Sequence, residues 1–233
     1  MRKLLFNKKE DIGAIGIGAM IVLIAMILVA GVAASVLIST SNTLQSQALK
    51  TGSQTTREVS SGLSVYSVLG QVNVTGNETA GYTYNNIWCL AVTVAPKPGS
   101  DKIDLNNTYI LISDGTKKAL LTYAGYNNSS FWDDDVTGDL FGTTDIVWTN
   151  LTSEQFGIGV LQDYDGSMSR TNPVLTRGDK AVLYIYTNSS GVFGSQISER
   201  KDIFGRVIPE IGAPGVISFT SPKAYVDKIY TLQ

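Results

Sequence analysis

KKEDIGAIGIGAMIVLIAMILVAGVAASVLISTS, residues Lys8–Ser41, sets four charges in a row against a glycine-spaced boundary and then an unbroken apolar run. No Asp, Glu, Lys or Arg occurs between Ile12 and Leu49, and fifteen residues from Ala14 to Ile38 are Ile, Leu, Val or Met. As a helix, the run is long enough to cross a bilayer core of about 30 Å. Leaving fifteen such side chains in water would cost on the order of 20–45 kcal/mol, an upper bound because unfolded chains are already partly compact. A free soluble monomer with this segment intact is excluded by that magnitude.

Three fates are open to such a segment. A secretory signal would be cut behind it, at GVA before Ala34, but the apolar stretch is longer than the usual signal core and stays uncharged well past that point. A retained anchor would hold Arg2, Lys3, Lys8 and Lys9 on the cytoplasmic side. That fate leaves the glycines at the boundary unexplained. The third fate is cleavage in front of the run. KKEDIG followed by AIGIGAMIVLIAMILVAGVAASVLISTS closely resembles the N-terminus of archaellins, the filament subunits of the archaeal motility organelle. The resemblance implies removal of a short basic leader, residues 1–13, by a membrane aspartic peptidase related to prepilin peptidases. Matched residue by residue, the cut falls between Gly13 and Ala14. Pilins commonly carry a glutamate at the fifth mature position; here that position is Gly18, as in archaellins.

Loss of the leader takes four basic and two acidic residues from the chain's 18 and 20, leaving 14 and 18. It also removes the charges that hold the N-terminus at the cytoplasmic face. Beyond Ser39, STSNTLQSQALKTGSQTTREVSSG contains no proline, and Leu37, Leu44, Ala48, Thr55 and Val59 recur at helical spacing. One helix over residues 14–61 would be roughly 70 Å long. Helices of that length pack against copies of themselves, and Gly31, Ala34 and Ser35 permit close approach.

After Gly62 the pattern becomes short alternating runs: LSVYSVLGQVNVT, NIWCLAVTVA, TYILIS, KALLTY, DIVWTNL, FGIGVLQ, KAVLYIYT, IFGRVIP, VISFTS and YVDKIYTL. KPGSD, SDGTKK, YDGS and NSSG separate them as turns. The expected fold is α+β: a long hydrophobic N-terminal helix, then an all-β, immunoglobulin-like antiparallel sandwich over residues 62–233. LNNTYILISDGTK, QDYDGS, NPVLTRGD and VIPEIGAPGVISFTSP also resemble archaellin head segments. The tract YNNSSFWDDDVTGD carries the least of that pattern and reads as a variable surface loop.

The chain has no histidine and one cysteine, Cys89, inside IWCLAVTV. This removes His-dependent catalysis, most transition-metal sites and any disulfide framework. A net charge of −2 without a basic stripe gives no footprint for nucleic acid. GxSxG and phosphate-loop patterns are absent, so no enzyme is expected.

Seven N-x-S/T sequons occur, at Asn73, Asn77, Asn106, Asn127, Asn128, Asn150 and Asn188. Chance pairing of 13 Asn with 44 Ser and Thr would give about 2.5. Co-enrichment of these residues in surface turns is the alternative to glycosylation, which the resemblance implies for some of them. Asp163 and Asp165 in QDYDGSMS resemble the start of a calcium loop, but the twelfth position is Val174 where such a loop has a bidentate Glu. A solvated turn is the alternative to a structural Ca²⁺.

By resemblance, the chain is expected to be a structural subunit of the archaellum, extracellular after a transient stay in the cytoplasmic membrane. Its partners would be other copies or other archaellins, the peptidase, and the archaellum assembly platform and motor. An adhesive archaeal type IV pilin, or a membrane-anchored β-sandwich binding module, would share the same helix.

Overall fold

The structure, a computed structural model, describes residues 2–77, 81–125, 129–142, 146, 148–188 and 190–233, with the side chains of residues 2–12, 14, 77, 81 and 149 left out. The chain divides into two compact units, residues 1–54 and 55–233. Helix α1 runs unbroken from Arg2 to Ser60. Its sequence contains no proline, and its glycines fall singly, so no position forces a stop. Helical backbone therefore passes through the Gly13–Ala14 bond without a kink or turn.

Thirteen strands follow among the described residues: β1 Leu63–Asn77, β2 Gly81–Pro96, β3 Ile103–Asp104, β4 Tyr109–Ser113, β5 Lys118–Tyr123, β6 Trp132–Asp133, β7 Gln155–Gln162, β8 Met168–Ser169, β9 Asn172–Leu175, β10 Lys180–Tyr186, β11 Asp202–Ile208, β12 Gly215–Thr220 and β13 Ile229–Thr231. Their hydrogen-bonded order is β12-β11-β4-β5-β7-β10-β2-β1-β13, with β6 beside β7 and a small sheet β3-β9-β8 apart. Only two residue pairs join β5 to β7, so the path folds over into two layers at that seam. Leu90, Val92, Leu183 and Ile185 of one layer share a dry core with Ile110, Ile112, Ile203 and Ile217 of the other. Alternation explains the second layer: β12 reads buried-exposed three times over, as expected when one face meets the core and one meets water.

Pairing is antiparallel throughout except at β5–β7 and β6–β7, which are parallel. A parallel neighbour needs a long crossover, and residues 124–154 supply it. This corrects the surface-loop expectation for YNNSSFWDDDVTGD. Phe131, Trp132, Val136 and Phe141 are buried, and Phe131 and Phe141 join Ile146, Trp148 and Leu151 in covering the outer side of Ala91, Val182 and Tyr184. That cover explains why β10 is buried at six consecutive positions instead of alternating. In DIVWTNL, where a strand was expected, the described Trp148–Asn150 is a 3-10 turn whose indole packs edge-on against Tyr184 at 5.1 Å.

Candidate functional site

Three features have the chemistry to act outside the fold: the apolar half of α1, the acidic turn at Asp163, and the sequons.

Each described residue from Ile15 to Ser60 is exposed, including Ile15 at 71%, Met20 at 69% and Leu28 at 64%. A helix apolar on all sides requires an apolar surrounding, and the described chain provides none. The mean hydropathy of its richest 18-residue window is 3.0. Glycines sharpen the point. A Cβ on Gly13, Gly16, Gly18 or Gly31 would meet nothing within 4 Å. Each interior helical glycine costs about 1 kcal/mol against alanine, and no contact within the chain offsets that cost. Side chains that admit close approach are useful only if something outside the chain approaches.

The last turn of α1 belongs to the second unit and is tied into it. Arg57 pairs with Asp101 at 3.5 Å. Just beyond, the buried Ser61–Leu63 segment is held on two sides. The Ala213 N–H donates to the Ser61 carbonyl at 2.9 Å and the Leu63 N–H to the Ala213 carbonyl at 3.0 Å. On the other flank the Lys97 N–H donates to the Gly62 carbonyl at 2.8 Å, and the Gly62 N–H to Ser100 Oγ at 3.2 Å.

Asp163 and Asp165 do converge, and a third carboxylate joins them. Ligand oxygens of Asp163, Asp165 and Asp179 lie within 4.8 Å of one another. Asp179 is buried and stands just before β10, sixteen residues beyond Asp163, in the TRGD turn that folds back over the DYDGS turn. All six carboxylate oxygens accept hydrogen bonds. Asp163 takes the N–H groups of Gly166, Ser167 and Met168. Asp165 takes the Ser167 N–H and the Thr176 hydroxyl. Asp179 takes the Tyr164 and Thr176 N–H groups and the hydroxyls of Thr176 and Ser167. Hydrogen bonds from Ser167, then from Thr176, hold the Asp165 carboxyl below the ordinary carboxylate range. Its stabilisation is therefore complete above that range and is lost as the pH falls through it.

The sequons separate by presentation. Asn150 and its Thr152 are both exposed. Asn106 is exposed, but the hydroxyl of its Thr108 is buried and donates to the Asp104 carbonyl at 2.8 Å. Asn73 is half-buried in β1. Asn188 is half-buried, its Nδ2 donating to Tyr186 Oη at 3.1 Å while its Oδ1 accepts from Gln196 at 3.2 Å. Asn127 and Asn128 lie outside the described residues, as do the side chains of Asn77 and Ala14. Burial raises the Cys89 thiol well above its usual value, which keeps it a small core side chain and not a nucleophile.

The chain matches the archaeal-type flagellin family over residues 13–219. It is 46% identical over 221 residues to Flagellin B2 of Methanocaldococcus jannaschii, which covers 95% of this chain and 94% of that relative. Among solved structures it is similar to the archaeal flagellin FlaB1 of the same organism, with 32% identity and a TM-score of 0.58, covering 74% of this chain and 97% of that one. A chain of the archaeal flagellum of Methanospirillum hungatei shares the fold at 15% identity and a TM-score of 0.58, over 94% of this chain and 99% of that one.

Proposed function

The chain belongs to the archaeal-type flagellin family, and from that membership we infer that it is a structural subunit of the archaellum, the rotating motility filament of archaea. One observation carries the reading beyond membership: residues 15–38 form a helix with no apolar partner among the described residues. A bundle of such helices buries them in one another, and contacts that repeat without closing into a ring give a filament of open length. The sandwich then forms the outer layer.

The route into the filament follows from charge. The precursor waits in the cytoplasmic membrane with its four basic leader residues inside. The prepilin-peptidase-like enzyme cuts between Gly13 and Ala14, and the assembly platform moves the helix from lipid into the growing core. The motor supplies torque, and the subunit transmits it without chemistry. Glycans are placed first at Asn150, the one described sequon with both its Asn and its hydroxyl residue exposed, and next at Asn106. Filaments sheared from cells test all of this in one sample. Electron microscopy is expected to find bundled helices at the axis, Edman sequencing to begin at Ala14, and peptide mass to place added sugar on Asn150. A chain beginning at Met1 and confined to the membrane would overturn the reading.

For the acidic turn, the ligand we propose is a calcium ion, held by Asp163, Asp165 and Asp179 in place of the missing twelfth-position glutamate. Three carboxylates within 4.8 Å repel one another, and Asp163 Oδ2, both Asp165 oxygens and Asp179 Oδ1 accept one hydrogen bond each and keep a lone pair for a cation. Calcium at a hundred times its Kd would add about 2.7 kcal/mol, or roughly 5–10 °C in Tm for a domain of this size. A Tm unmoved by chelator would leave the triad as a turn held by its own hydrogen bonds. Asp179→Ala separates the two roles, because it strands the part-buried N–H groups of Tyr164 and Thr176 and is expected to cost about 1–3 kcal/mol even without calcium.

A further inference from the structure

One face of the sandwich is left bare. On the outer side of β4, β5, β11 and β12, Val216 is 57% exposed, Phe204 56%, Leu120 52% and Tyr109 45%. Phe204 and Val216, with Leu111, line a groove of about 430 Å³ whose charged lining residues are Lys118 and Arg206, with no acidic side chain among those that line it. The surrounding head is acidic: residues 62–233 contain 17 Asp and Glu against 12 Lys and Arg. Arg206 stands between Val216 and Leu111 across the strands, so exposed apolar side chains and cations share this face, a composition that favours protein binding.

The complementary surface is on the other side of the same head. There the outer face of β2, β7 and β10 is covered by the crossover, which presents Asp134, Asp135 and Asp139 as exposed residues. Asp163, Asp165 and Asp179 lie in a separate pair of turns outside the crossover. We propose that the groove of β4, β5, β11 and β12 receives the acidic crossover, residues 129–142, of a second copy of this chain. The two surfaces are on opposite sides of the sandwich, so each copy offers a groove and a crossover to different neighbours. Such a face-to-back contact repeats without closing. This inference rests on the filament reading and names the contact that joins heads in it.

Carbodiimide coupling of intact sheared filaments tests it, because the reagent links a lysine to a carboxylate already in contact. The expected result is a dimer band whose peptides join Lys118 of one copy to Asp134, Asp135 or Asp139 of another. Filaments of Lys118→Arg, which keeps the charge and removes the amine, are expected to form but to lose that band. Arg206→Glu is expected to reduce filament yield about tenfold while the full chain keeps its Tm, and Asp135→Lys in the same chain to restore it. Filaments of normal yield from Arg206→Glu, a normal filament without the Lys118 link, or a Lys118 link to a different protein would each overturn the interface alone. Absence of filaments from the unaltered chain would overturn the filament reading as well.

Discussion

Gly212→Ala is expected to lower the Tm of the full chain by about 10 °C, far more than most exposed substitutions. Two costs add. Gly212 has φ +99°, where an L side chain is strained by about 1–2 kcal/mol. A Cβ there would also fall well inside contact with the Ser61 carbonyl oxygen and 2.9 Å from the Gly62 nitrogen. Those atoms are backbone held between Lys97 and Ala213, so they yield only if the hydrogen bonds joining Ser61–Leu63 to Ala213 lengthen. Two such bonds at about 1 kcal/mol each bring the total to roughly 3–4 kcal/mol. At about 2–4 °C per kcal/mol for a domain of this size, the shift follows. Gly99→Ala is the control: its φ is +84° and a Cβ there meets nothing within 4 Å. It is expected to cost only the backbone strain. Equal shifts from the two substitutions in a thermal melt would remove the clamp at the end of α1 from the account. Because that clamp joins the last turn of the helix to both β2 and the segment before β12, it is also where torque would enter the head. Filaments of the Gly212 variant are accordingly expected to break under milder shear.

The parts of the fold that were legible are those written in local period. The charge-free run from Ile12 to Leu49 and the two-residue alternation of VISFTS each state their own secondary structure and which side is apolar. What was illegible depends on residues far apart in sequence. FWDDDV reads as a surface loop because its carboxylates dominate the composition, yet Phe131, Trp132 and Val136 point inward while Asp134 and Asp135 face out. Nothing local says that a parallel β5–β7 seam will require this tract as its crossover. Asp163 and Asp165 were visible as a turn, whereas Asp179 had no local signature to separate it from any other Gly-Asp turn. The one hint was in TRGDKAVLYIY, where a single lysine separates the acid from six buried strand residues, so that its carboxylate needs donors nearby. The alternation of β4, β5, β11 and β12 was legible as well, but not that Val216, Arg206, Leu111 and Leu120 would form one row across the four strands. That adjacency is set by register between strands some ninety residues apart.

Gly13→Val is expected to abolish filaments while leaving the precursor folded and in the membrane. The substitution isolates cleavage because a Cβ at Gly13 meets nothing within 4 Å among the described residues and valine has the higher helix propensity. On the proposed reading, a β-branched side chain beside the Gly13–Ala14 bond would obstruct the prepilin-peptidase-like enzyme. The uncut precursor keeps Arg2, Lys3, Lys8 and Lys9, each worth about 1 kcal/mol of attraction to an anionic leaflet. Four such residues favour the cytoplasmic face by a factor of roughly 10³ before the apolar run is counted. Those charges would also have to enter a core lined by Ile15, Met20 and Leu28, where an unpaired ammonium is far more costly than at the membrane surface. Assembly therefore stops twice over, at extraction and at packing. Cell fractionation is expected to place the variant in the membrane at the mass of residues 1–233, with no surface filaments and no swimming. Gly13→Ala, which adds only a methyl, is expected to be cut slowly and to give fewer filaments beginning at Ala14. If Gly13→Val filaments form at normal yield with the leader still attached, the basic residues are tolerated in the core and the leader is not what holds the helix back.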